Sequence, residues 1–163
     1  MGFEETLEKV KEDSANGEKN FNVIVEKLDD GSIKAQMGAK PFEMIIDAPP
    51  GLGGKNLGPS PLLVILASIG ACIIAVTGFW AQMMDIKIDS IKCFSRGHIN
   101  LGGIFGTEKK LKPYYDKLRP VVQIKSPEPK EKIEKLMKEV WDHCPAVQNF
   151  NKKSGLEWKI QIK

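Results

Sequence analysis

Of 163 residues, 42% are hydrophobic and 28% charged, a balance that supports a buried core and excludes a disordered or low-complexity polymer. The net charge of +3 is uneven: residues 1–60 hold 7 Lys/Arg against 11 Asp/Glu, and residues 85–163 hold 17 against 10. Arg96 and Arg119 are the arginines, and the lysines alternate with glutamates, so the arginine- or aromatic-studded stripe of a nucleic-acid binder is not expected.

In chain order, the start GFEETLEKVKED is charged throughout and does not read as an apolar leader. Phe3, Leu7 and Val10 recur at i, i+4, i+7 and predict a short amphipathic helix over 3–13, ended by SANGEKN. Phe21, Val23 and Val25 alternate with polar residues as in a strand, and DDGS at 29–32 is a hairpin turn signal. Strands at 33–38 and 41–47 complete an antiparallel meander.

The loop APPGLGGKNLG (48–58) contains a Gly-Gly-Lys that invites a phosphate-loop reading. The motif needs a glycine five residues before its Gly-Lys pair and Ser or Thr after it; Pro49 and Asn56 stand there instead. The dinucleotide fingerprint fails as well, for want of a third glycine. Turn geometry is the reading that remains.

From Gly58 to Met84 the chain carries no charge. Pro59 and Pro61 suit a helix start, with Ser60 a candidate cap, and a helix over this stretch is about 36 Å long. Such a segment is either a membrane span or a helix covered by protein on every side. Ala67, Ser68, Gly70, Ala71, Ala75 and Gly78 form small patches where another backbone can come close. Both flanks read as globular, which favours the covered helix and no membrane. One sheet cannot cover an all-round apolar helix of that length, so the remaining face needs a second sheet or a second copy of the chain, and a homodimer is the expected solution.

Beyond the helix, Ile86, Ile88 and Ile91 open a strand region reaching Ile99, with Cys93 as a packed thiol. Residues 101–120 read as a loop-rich link, and 121–124 as a further strand closed by SPEP. A helix over 128–143 carries Ile133, Leu136, Met137, Val140 and Trp141 on one stripe, which Cys144 extends. Pro145 ends or kinks that helix. If a new turn begins there, backbone N–H groups point near the Cys144 sulfur and favour its thiolate. Leu156, Trp158, Ile160 and Ile162 alternate as a closing strand. The order α-βββ-α-ββ-α-β predicts an α+β domain with antiparallel sheets, a single domain over 1–163. Three cysteines without framework spacing fit a reducing cytoplasm, and His98 and His143 stand far apart, so neither metal nor cofactor is expected.

Two stretches carry a resemblance. DAPPGLGGKNLGPSPLLVILASIGAC (47–72) and WDHCPAVQNF (141–150) are similar to the core and the C-terminal motif of the OsmC/Ohr family, over roughly Phe21 to Ile162. The resemblance implies two antiparallel sheets around long central helices in an intertwined homodimer, with 20–163 as the family core and 1–16 as an N-terminal helical extension. It also implies a thiol peroxidase acting on organic hydroperoxides and hydrogen peroxide, regenerated by an external dithiol. Cys72 matches the peroxidatic cysteine and Cys144 the resolving one. The family's peroxidases carry a glutamate ten residues before the first cysteine, where this chain has Leu62. They also take an arginine from the N-terminal meander, where this chain has none before Arg96 and Lys40 is the candidate substitute. Apolar surroundings mid-helix disfavour a thiolate at Cys72, so slow turnover is expected. The alternative is the same fold binding an apolar or thiol-bearing small molecule at a dimer cleft without chemistry, and on residue type alone Cys72 and Cys93 also fit as buried small side chains.

Overall fold

The computed structural model describes residues 2–151, so the closing strand expected at 156–162 lies outside the described residues. The chain forms two compact units, Met1–Pro61 and Leu62–Lys163. The architecture is α+β with two small antiparallel sheets, in agreement with the sequence reading.

In the first unit, helix α1 (Phe3–Glu12) half-buries the stripe Phe3, Leu7 and Val10. Glu4 and Glu5 in its first turn suit the positive end of the helix dipole, and Lys9 pairs with Glu5 at 2.9 Å one turn on. Strands β1 (Val23–Lys27), β2 (Ile33–Met37) and β3 (Phe42–Ile46) form the meander, with Val25 opposite Ala35 and Ala35 opposite Met44. The β1–β2 turn is closed by Leu28 N–H to Ser32 O at 2.8 Å, with Gly31 at φ +92°, a conformation that glycine adopts without strain. Asp30 accepts from both the backbone and the hydroxyl of Ser32.

The 48–58 loop is held by Asp47. This buried carboxylate accepts the N–H groups of Lys55 at 2.8 Å and Leu57 at 3.1 Å, which keep its pKa below the usual carboxylate range. Two donors that a phosphate-binding loop would offer are therefore spent on an internal anion. A Cβ at Gly58 would collide with the backbone carbonyl of Ile45, so the glycine there serves a close chain approach.

The second unit is built on helix α2 (Pro61–Met83). By length and composition α2 is apolar enough to cross a bilayer, but one stripe of it packs on protein. Ile69, Ile73, Val76, Thr77 and Ala81 are buried at helical spacing, and the Thr77 hydroxyl is satisfied by Ile73 O at 2.7 Å. Sheet β4 (Ser90–His98)–β5 (Lys117–Lys125) packs against α2 near Gly70, where an added Cβ would lie 2.7 Å from Ser95 Oγ and 3.6 Å from Cys93 Sγ. Helix α3 (Leu101–Phe105) lies between the two strands in sequence. Helix α4 (Lys130–His143) adds Leu136 and Val140 to the core, and α5 (Pro145–Asn151) adds Val147.

The structure differs from the sequence reading at four points. Ile86 and Ile88 precede β4 instead of opening it. The chain leaves α2 through Asp85 at φ +51°, Ile86 N–H bonds back to Ala81 O at 2.9 Å, and Ile86 is buried in the helix-side core. The link over 101–120 contains α3 and the start of β5. Pro120, assigned by pattern to that link, sits inside β5 opposite Ser95; among the described residues β5 pairs with β4 alone, and an edge strand tolerates a proline. Helix α4 begins at Lys130, after Pro129 at the cap position. Among the described residues, Ala71, Ala75 and Gly78 of α2 are exposed.

Candidate functional site

Two helices bring two thiols together. Cys72 lies in α2 beside the buried Ile69, Ile73 and Val76, and is itself half-buried. Cys144 continues the buried stripe of Leu136 and Val140 at i+4 and i+8, and is fully buried. Its backbone is pinned from both sides: Cys144 N–H closes α4 on Val140 O at 2.9 Å, and Cys144 O accepts Gln148 N–H of α5 at 2.9 Å. The residue is extended there (φ −77°, ψ 116°), as expected before a proline. The result is a Cys144 Sγ to Cys72 Sγ separation of 3.5 Å across 72 residues of sequence.

The electrostatics of the pair are asymmetric. Burial pushes the Cys144 thiol up, with the neighbouring Cys72 sulfur acting in the same direction; the N–H groups of Val147 and Ala146 pull it down by less. A new helical turn does begin at Pro145 and its N–H groups do favour a Cys144 thiolate, but desolvation outweighs them. Cys144 therefore keeps its proton and donates it toward Cys72, the more accessible sulfur. His143 turns away, its Nδ1 donating to Glu139 O at 2.9 Å and its ring tilted against Trp80 at 4.8 Å between centroids.

The third thiol, Cys93, faces α2 from β4 and lies 3.9 Å from Ser95 Oγ. Strand alternation puts Arg96 on the opposite face of β4 from Cys93, and Arg119 pairs across from Arg96 on that outer face. Lys40 sits in the exposed turn between β2 and β3 of the first unit. Tyr115 is a residue that sequence reasoning misses. Its ring covers Gly97, its hydroxyl donates to Leu62 O at 2.8 Å, and burial raises its pKa. No local pattern marks Tyr115; it reaches Gly97 because the chain just before β5 closes onto the end of β4, where Asp116 N–H donates to His98 O at 3.1 Å. An apolar cleft is lined by Ile69, Tyr115, Leu118, Trp141, Val147 and Phe150, and so borders the first turn of α5 beyond Cys144.

Comparison with known proteins bears on the family and the fold. A family model described as OsmC-like protein matches residues 53–159. An OsmC-like protein from Mycoplasma pneumoniae has the same fold at a TM-score of 0.70 and 21% identity, covering 83% of this chain and 90% of that one. An organic hydroperoxide resistance protein from Elizabethkingia anophelis superposes at 0.64 and 14% identity, covering 83% and 91%. One from Legionella pneumophila gives 0.55 and 16%, covering 80% and 88%. The comparison with curated proteins gives no match.

Proposed function

The chain belongs to the OsmC-like family, and from that premise we propose that it is a cysteine-dependent peroxidase reducing organic hydroperoxides and hydrogen peroxide. The observation that carries the reading is the 3.5 Å approach of Cys144 Sγ to Cys72 Sγ. The Cys72 thiolate attacks the outer peroxide oxygen; the S–O bond forms, the O–O bond breaks, and the leaving alkoxide takes a proton to become an alcohol. Two electrons pass from sulfur to the peroxide, leaving Cys72 as a sulfenic acid. Cys144 then attacks that sulfur, its proton leaves with the hydroxide as water, and a Cys72–Cys144 disulfide forms. An external dithiol returns both thiols. The sulfurs need to close by about 1.5 Å to reach the disulfide bond length.

In this reading Lys40 supplies the cation that the family's arginine supplies elsewhere. It is a point charge without a fork, and Leu62 cannot orient it, so turnover is slower than in members with the full set. The active form is a homodimer in which a second copy covers the open face of α2, in a reducing cytoplasm. Consumption of cumene hydroperoxide with a dithiol present tests the activity. Wild type is expected to turn over, Cys72→Ser to lose all turnover, and Lys40→Met to be slower. Turnover unchanged in Cys72→Ser would overturn the assignment. The second reading, a binding module without chemistry, is favoured by the apolar cleft beside α5, and applies if wild type consumes no peroxide at all.

A further inference from the structure

The chain's two arginines meet on the solvent side of the β4–β5 sheet. The register sets Arg96 directly opposite Arg119, and the next outward pair is His98 opposite Lys117. Arg96, Gly97, His98, Lys117 and Arg119 line a shallow surface depression. Among the described residues neither arginine has a carboxylate partner in an ion pair. The acid at the rim, Asp116, is engaged by His98 Nδ1 at 2.6 Å.

Like charges directly opposite on one face of a sheet destabilise it, so this pairing opposes folding unless an anion sits between the two. The Cβ atoms of such a pair stand about 4.5–5.5 Å apart, close enough for two guanidinium forks to grip one tetrahedral group. Guanidinium offers parallel N–H donors matched to phosphate oxygens, and Lys117 adds a point charge beside them. By strand alternation this face is turned away from Cys93 and the α2 core, so it is separate from the thiol pair.

We propose that Arg96 and Arg119, supported by Lys117, form a binding site for a phosphate group, either free as in pyrophosphate or carried as a phosphomonoester headgroup. The site takes oxyanions through bidentate contacts and does not depend on peroxide chemistry.

The test uses the full-length protein at low salt, with two probes: inorganic pyrophosphate by calorimetry, and phosphatidylcholine vesicles containing phosphatidic acid by co-sedimentation. Saturable binding is expected with at least one probe, and the two arms separate a free phosphate from a headgroup. The double variant Arg96→Gln/Arg119→Gln should lose about tenfold or more in affinity, as removal of charge-assisted hydrogen bonds requires. The charge-matched Lys92→Gln/Lys125→Gln, on the same face but outside the depression, should bind within about twofold of wild type. Circular dichroism verifies that both variants are folded. No saturable binding of either probe, or equal loss in the lysine and arginine variants, would overturn the site, as would full binding by the arginine variant.

Discussion

At the residue scale, the two thiols differ because their surroundings differ. Cys144 closes a buried stripe between α4 and α5 and is held in the protonated form by burial; Cys72, on α2, keeps partial access to solvent. A thiol that keeps its proton is a donor to its neighbour, and the more accessible sulfur is the one a peroxide can reach. Cys144→Ser should therefore still react once with peroxide and stop there. Dimedone labelling followed by peptide mapping should find the adduct on Cys72, whereas wild type shows little adduct because the disulfide forms first. Label on Cys93, or equal label in wild type and variant, would contradict the roles assigned to the pair.

At the scale of elements, Asp47 illustrates how one side chain fixes a loop. Its carboxylate ties down the N–H groups of Lys55 and Leu57, and its pKa lies below that of the unfolded chain. A depressed carboxylate stabilises the fold above the unfolded pKa, about 3.9, and that contribution is lost as pH falls through the folded value. Amide exchange at Lys55 and Leu57, corrected for intrinsic rate, should accelerate only below that range. In Asp47→Ala it should be about tenfold faster at neutral pH as well, since two charge-assisted bonds are gone. Equal protection in wild type and Asp47→Ala would show that the loop is held by its glycines and prolines alone.

Elements with a clean period are legible in the sequence itself: α1 from Phe3, Leu7 and Val10, α4 from Leu136 and Val140, the meander from its turn signals, and α2 from its length. Less legible are segments where tertiary packing overrides local pattern. Ile86 has the pattern of a strand but is core under α2, and Pro120 has the character of a break but rests inside β5, opposite Ser95. Of the site, Cys72 and Cys144 can be paired from sequence only through the resemblance to a family. No spacing rule brings residues 72 apart in sequence to 3.5 Å. Tyr115 and the facing arginines depend on sheet register, which single-sequence patterns do not specify when the connecting segment is long.

At the scale of the whole molecule, the open face of α2 is the feature that asks for a partner. Leu63, Leu66, Ala67, Ala71 and Ile74 of α2 line a groove with Cys93 and Ser95 of β4. An apolar surface of this kind on a helix from the centre of the fold suits a second helix of the same sequence, its small residues allowing close approach. Light scattering at micromolar concentration should give twice the mass of one chain. Because Ala71 and Ala75 are exposed within one chain, Ala71→Asp/Ala75→Asp should still fold but shift to one chain's mass. A wild-type monomer would contradict the homodimer, and a variant that remains dimeric would move the interface elsewhere.

The central claim is that Cys72 and Cys144 act as a redox pair while Cys93 stands apart. The most direct measurement is mass spectrometry of the intact protein after one equivalent of cumene hydroperoxide, followed by peptide mapping without reduction. The account predicts the loss of two hydrogens, a single Cys72–Cys144 bridge and a free Cys93. A bridge that includes Cys93, or three free thiols after exposure to the peroxide, would contradict it.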